Sequence, residues 1–355
     1  MKKNFVLLIA VFASLVVNAQ RLDREFVTFN YMHYPPKPFP KWVKTYAVEA
    51  ESSSRNVVLG GSEKRTLAIK GFEEAEKFKD ADIQITFELD RVFLTSFITS
   101  KTRTEKQGDK SVSITDYFYN IKAALTGIYA IKLKDGTVVV NTGFSGNGET
   151  PKNITNAIIG DAVNFISTSN PFPSYSVAEE KLNQSKESLL EDASKNCVKK
   201  ATEYFANYAN NSFGYYYYNR EETVATGKGK NYNYSDLDGI ISTFREAAKL
   251  YNQRKYDEYA AKAEICISGW KKALTEFNPT DKKATKKDRI SSKIADFLNY
   301  SIAIAYFYMN DFDKAAEFAQ KGLDIDQGSF GRSLLNNIKD KQVLYEKNQE
   351  RENEN

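Results

Sequence analysis

Ile83-Gln84-Ile85-Thr86-Phe87-Glu88-Leu89-Asp90 alternates apolar and polar side chains without a break. A period of two puts Ile83, Ile85, Phe87 and Leu89 on one face and their neighbours on the other. That is the pattern of a strand with one buried and one wet side. Toward the C-terminus, residues 117–133 are rich in Tyr, Ile, Ala and Leu, with Tyr129, Ile131 and Leu133 sharing a face. Lys134-Asp135-Gly136-Thr137 then supplies a turn, because an Asp-Gly pair accepts positive φ, and Val138 to Val140 resume a strand. Toward the N-terminus, strands are expected around 26–31, 43–51 and 66–71. Tyr34-Pro-Pro-Lys-Pro-Phe-Pro40 cannot join a ladder, since proline lacks the backbone donor.

Pro151 to Thr168 reads as a short helix over that sheet, with Ile154, Ile158, Ile159, Val163 and Ile166 spaced for one face. After the break at Asn170-Pro-Phe-Pro173, a long helix is expected over 176–209. Its Leu182, Leu189, Ala193, Cys197, Ala201, Tyr204 and Tyr208 recur at three and four residues. From Leu237 the pattern is helical to the end. Helices are expected around Phe244–Tyr251, Tyr256–Phe277, Ile290–Met309, Phe312–Ile325 and Gly328–Gln349, the last with Leu334, Leu335, Ile338 and Leu344 as its stripe. Asn278-Pro279 and the basic loop Lys282–Arg289 interrupt them. The expected fold class is therefore α+β: an N-terminal antiparallel sheet domain with covering helices over 20–209, a Tyr-rich linker or strand segment over 210–236, and an all-α helical-repeat domain over 237–355.

The first 19 residues read as a secretory signal. Lys2 and Lys3 precede an apolar run of 13 residues, Phe5 to Val17, and Val17 and Ala19 are the small residues that signal peptidase needs before a cut after Ala19. A spanning helix needs about 20 apolar residues, so a retained anchor is disfavoured. No cysteine lies near the cut for a lipid anchor. The expected place is the periplasm or the outer-membrane side of the envelope, and the composition resembles exported proteins of the Bacteroidetes. Hydrophobic residues at 41% and charged residues at 27% are ordinary for a globular protein. A net charge of +4 over 355 residues lacks the concentrated basic footprint that nucleic-acid binding needs.

The segment Asn299–Gln327 resembles a tetratricopeptide repeat, a family in which small residues let two antiparallel helices pack closely and aromatic residues fill the space at the turn. Ile302 and Ala303 match the apolar-then-small pair of the first helix, Tyr306 its aromatic, Asn310-Asp311-Phe312-Asp313 the turn, and Ala315 the small residue at the crossing. Asn299, Ala319, Gly322 and Gln327 depart from the pattern. Phe244–Cys266 is a weaker copy, with Ala247, Tyr251, Lys255-Tyr256-Asp257 and Ala263 in similar places and Tyr259 where a small residue belongs. The resemblance implies a scaffold that holds a protein or peptide partner.

Enzyme chemistry finds few players. With His33 the only histidine, zinc sites built on histidine pairs and Ser–His triads lack their usual residues. Gly143-Phe-Ser-Gly146 lacks the spacing of a nucleophile elbow, and Gly227-Lys-Gly-Lys230 that of a phosphate loop. No catalytic residue, metal site or cofactor is expected. Tyr215, Tyr216, Tyr217 and Tyr218, with Tyr232 and Tyr234, form the most unusual local composition. Exposed, they would make a glycan- or partner-binding surface; packed, they would be a strand covering a domain interface. Cys197 and Cys266 are the only cysteines. Two separate core thiols are the ordinary reading, and a bridge, which an oxidising compartment permits, is the alternative. The leading reading is a non-enzymatic exported scaffold that binds a protein or peptide; the alternative is a glycan- or peptidoglycan-binding envelope protein.

Overall fold

The computed structural model describes residues 21–53, 59–145, 164–167, 170–228, 232–279, 288–326 and 329–353. The expected export signal lies outside them, as do most of the basic run and all but the end of the expected helix 151–168. The described chain is α+β, with strands dominating the N-terminal part and helices the C-terminal part. It divides into two compact units: residues 35–215, and residues up to Tyr34 together with 216–353. The division falls at two places: 215/216, within the 210–236 segment, and 34/35.

The first unit is a six-stranded sheet. Its elements are β2 (Thr45–Ser52), α1 (Gly61–Thr66), β3 (Glu73–Glu74), β4 (Ile83–Gln107), β5 (Lys110–Leu133), β6 (Val138–Ser145), β7 (Asn164–Ser167) and helix α2 (Tyr175–Phe213). Strand order is β3-β2-β4-β5-β6, with β7 also on β5. The expected antiparallel sheet is in fact mixed, since β2 runs parallel to both β3 and β4. The reason is the connection. About 30 residues separate β2 from β4, long enough for a crossover that returns in the same direction.

The expected hairpin at Asp135-Gly136 forms, with Gly136 at φ 94° and Leu133 N–H donating to Thr137 O at 2.8 Å. Ile83, Ile85, Phe87 and Leu89 are all buried, as their alternation requires. The ladder shifts register between Leu89 and Arg91. Opposite this bulge sits Gly127, where a Cβ would lie 2.1 Å from the Glu88 carbonyl oxygen, so only glycine fits. Helix α2 starts at an N-cap, Ser174, whose hydroxyl accepts from Val177 N. It buries Cys197, Ala201, Phe205, Ala209 and Phe213 in the same core as the sheet. The Phe205 ring stacks on Tyr129 at 4.4 Å and meets Phe144 at 5.1 Å.

One strand expectation and one helix expectation change. Residues 67–71 are a turn, not a strand, although Leu67 and Ile69 are buried as a period of two demands. The side-chain amide of Asn210 takes the place of a neighbouring strand: it donates to Ala68 O (3.0 Å) and accepts from Lys70 N (2.7 Å). Within the expected helix 151–168, residues 164–167 are strand β7, paired to β5 through Ile121 and Ile166.

The second unit pairs β1 (Arg21–His33) with β8 (Tyr216–Lys228) along their whole lengths, antiparallel. Among the described residues, five helices accompany them: α3 (Ser235–Asn252), α4 (Tyr256–Leu274), α5 (Ser292–Tyr308), α6 (Phe312–Ile325) and α7 (Ser329–Asn353). Strand β1 supplies Val27, Phe29 and Tyr31 to the helical core. Its outer edge is held by Asn252, which donates to Thr28 O (3.0 Å) and accepts from Asn30 N (2.6 Å).

The α3–α4 and α5–α6 turns have one geometry. Arg254 (φ 64°) and Asn310 (φ 59°) are the only non-glycine residues at positive φ among those described. The next N–H in each case reaches back five residues, Lys255 to Leu250 O and Asp311 to Tyr306 O, both at 3.0 Å. This is the helix-ending pattern in which one left-handed residue turns the chain so the last carbonyls stay paired.

Ile302, Ala303, Tyr306, Phe312 and Ala315 are all buried. Gly322 marks a close approach of α6 to α5, because a Cβ there would lie 2.8 Å from Asp296 Oδ1. Tyr259, at the position where the weaker copy lacks a small residue, is buried whole and donates to Ala305 O at 3.0 Å. A leucine at fully buried Ala315 has to spread the helices or take a poor rotamer. Ala315→Leu is therefore expected to cost about 1–3 kcal/mol. Lys314→Leu, on the wet face, should cost less than ~0.5 kcal/mol. Urea melts of the two variants check this, and equal small effects would mean that the α5–α6 pair is not tightly crossed.

Candidate functional site

A cleft of about 480 Å³ opens on the helical unit where α4, α5 and α6 meet. Its floor is aromatic. Tyr306 on α5 and Phe318 on α6 are 3% and 7% exposed, and their rings stack at 5.8 Å. Three lysines surround them. Lys271 on α4 donates to Tyr306 Oη at 3.1 Å and lies 5.0 Å from the centre of the Phe318 ring. Lys314 sits 5.1 Å over Tyr306, and Lys321 sits 4.4 Å over Phe318. Leu274 and Asn299 complete the wall with Glu317, the one carboxylate among the described lining residues.

The sequence arranges this locally. Lys314, Phe318 and Lys321 are four and then three residues apart, which places them on one face of α6. Asp311 caps that helix, accepting from Lys314 N and pairing with Lys314 Nζ at 2.7 Å, and this pair holds the lysine's pKa above its ordinary value. Glu317 pairs with Lys321 in the same way along the helix. A cation over a ring face gains from the ring's negative quadrupole, so the lysine heads are drawn over the floor. The arrangement suits a ligand that brings carboxylates to the lysines and aliphatic groups to the rings.

Close by, at the α5–α6 crossing, burial pushes the Asp296 carboxyl up to about 7, and the negative charge of Asp326 adds to the shift. The sequence reading reached Tyr306 through its repeat position but passed over Lys271, Phe318 and Lys321. The four-and-three spacing on α6 was the available signal; Lys271 comes from another helix and left none.

The tyrosine segment is mostly packed. Tyr216 stacks on His33 at 4.6 Å, Tyr218 meets Tyr31 edge-on, and Arg254 lies 4.5 Å over Tyr217. Tyr215, Tyr216, Tyr217 and Tyr218 are half-buried. Tyr234 is 5% exposed and donates to Arg289 O, whereas Tyr232 is 39% exposed. Residues 216–228 form strand β8, and Tyr216, Tyr217 and Tyr218 make these ring contacts within the helical unit.

Cys197 and Cys266 are both unbridged thiols. Cys197 lies in the core of the sheet unit and Cys266 in that of the helical unit, each buried among its own apolar neighbours. Burial pushes the Cys266 thiol up to about 12. Arg289, at the end of the basic loop, is clamped by Glu276 (2.7 Å) and Asp236 (2.8 Å).

A second, smaller cleft of about 310 Å³ carries Glu51, Glu88 and Asp90 beside the β4 bulge. Among the described residues, no group of three or more His, Cys, Asp or Glu is placed to hold a metal, and no helix is long and apolar enough to cross a membrane. Comparison of the chain with family models, curated proteins and solved structures finds no match.

Proposed function

We propose that this chain is a non-enzymatic, exported scaffold whose helical unit, organised like tetratricopeptide repeats, holds an extended acidic segment of a protein partner. The observation that carries this reading is the cleft: three lysines around a stacked tyrosine–phenylalanine floor. The matching turns after α3 and α5 support the repeat organisation, since the first helix of each pair ends in the same way. Export to the periplasm or outer membrane rests on Lys2, Lys3, the apolar run to Val17 and Ala19.

Charged rims steer association, and apolar floors supply affinity once water is excluded. A peptide array pairing acidic–aliphatic decapeptides with versions in which Asp and Glu become Asn and Gln tests the reading. The wild-type chain is expected to retain the acidic set. Lys271→Ala with Lys321→Ala should weaken retention at least about tenfold, the loss of two charge-assisted contacts, with unchanged near-UV circular dichroism. Equal retention of both peptide sets, or an unaffected double variant, overturns it.

A further inference from the structure

The hairpin of β4 and β5 runs well past the sheet that anchors it. On the outer side of β5, β6 pairs residues 126–132, β7 pairs 120–123, and Phe172 bridges Tyr117. Among the described residues no strand pairs with 110–116 on that side. A ribbon of two strands is marginal in water, and an open edge is a template for another strand.

The direction of the edge's backbone groups follows from Tyr117. Its N–H donates to Phe172 O (3.0 Å) and its carbonyl accepts from Phe172 N (2.8 Å), so both point away from β4. The ladder between β4 and β5 is regular here, its only register shift being at Leu89/Arg91. Alternation then turns the N–H and C=O of Thr115, Ser113 and Ser111 outward too.

The edge reads Lys110-Ser111-Val112-Ser113-Ile114-Thr115-Asp116. In chemistry it is a palindrome about Ser113: Lys110 mirrors Asp116, Ser111 mirrors Thr115, and Val112 mirrors Ile114. Val112 is 36% exposed and Lys110, Ser111 and Ser113 are exposed with it. Arg103 already orients the Asp116 carboxylate at 2.6 Å. The other edge of the ribbon carries Lys101, Arg103, Glu105 and Lys106, charges of the kind that guard an edge, whereas 111–115 carries none.

We infer that the β5 edge pairs with the same edge of a second copy of this chain, antiparallel, about a two-fold axis at Ser113. In that register each Lys110 meets Asp116 of the second copy, and each Val112 meets Ile114 of the second copy. Ser113 faces its own equivalent as a hydrogen-bonded pair, and the outward groups of 111, 113 and 115 make roughly six inter-chain backbone hydrogen bonds. A shift of one residue either way breaks both charge pairs and both apolar pairs. That dependence fixes the register.

Sedimentation velocity on the purified whole chain is expected to show a dimer at tens of micromolar. Val112→Lys should raise the dissociation constant at least about tenfold, and Val112→Lys combined with Ile114→Glu should recover most of the loss, because the substituted positions then attract across the axis. The α-carbons of a hydrogen-bonded antiparallel pair lie about 5.5 Å apart, within reach of a disulfide. Ser113→Cys should therefore cross-link under mild oxidation while Thr104→Cys does not, with the native Cys197 and Cys266 buried. A chain that stays monomeric and leaves Ser113→Cys uncross-linked overturns the inference, as a strand from another protein on this edge would produce. A dimer that links Thr104→Cys as readily as Ser113→Cys overturns it equally.

Discussion

Phe29→Ala is expected to destabilise the helical unit by about 3–5 kcal/mol, the range for removing a fully buried aromatic ring. Phe29 is 0% exposed. Its ring stacks on Tyr308 at 3.7 Å and meets Phe244, Tyr251 and Tyr259 at 5.7, 5.5 and 6.1 Å. The residue reaches the helices from a strand at the opposite end of the chain, so the expected loss measures whether β1 is integral to that core. Phe26, on the other face of the same strand, is 61% exposed, and Phe26→Ala should change stability by less than ~0.5 kcal/mol. Each unit holds one tryptophan, exposed Trp42 in the sheet unit and buried Trp270 in the helical unit. Urea melts followed by Trp270 fluorescence in a Trp42→Phe background therefore report on the helical unit alone. A loss under about 1 kcal/mol would mean that β1 only decorates the helices.

What was legible in the sequence is what is local. Ile83–Leu89 alternates because the sheet has one covered face, and the Asp135-Gly136 turn needs nothing beyond its own residues. The α5 and α6 boundaries follow from Asp311 and the apolar spacing around it. The misreadings all involve a partner far along the chain. Leu67 and Ile69 carry a strand's period, but their backbone groups are answered by one amide, Asn210, which no pattern within 66–71 announces. Strand β1 reads as a strand and gives no sign that its neighbour is β8. The arm of β4 and β5 between Thr99 and Thr115 has Ser, Thr and Lys where a core-facing strand would carry aliphatic residues, so periodicity falls silent. Likewise the cleft gathers side chains from three helices, and only its α6 portion has a spacing that a single segment can show.

The second large effect is expected at the buried ion pair of β8. Glu222 is 3% exposed, paired with Arg220 Nε at 2.6 Å and accepting from Tyr308 Oη at 2.9 Å. Burial pushes the Glu222 carboxyl up, against Arg220 and Tyr308, which pull it down. Arg220 also reaches Asn337 on α7 at 3.4 Å and lies 5.2 Å from the centre of the Phe307 ring, so one guanidinium ties β8 to two helices. Removing one partner leaves the other charge stranded in the core, and such losses run to about 3–5 kcal/mol. Arg220→Met is therefore expected to cost that much. Tyr308→Phe, which removes one hydrogen bond to a charged group and keeps the ring, should cost about 1.5–3 kcal/mol. Changing both charges, Arg220→Met with Glu222→Leu, is expected to recover most of the loss, because desolvation no longer has to be offset by attraction. Urea melts of these three variants, with Glu222→Leu alone as the fourth corner, close the cycle for the pair. If the double variant is as unstable as Arg220→Met alone, the cost lies in lost packing around the Arg220 stem and the Phe307 ring. The pair would then be a by-product of how β8 packs on α5, not the contact that holds it there.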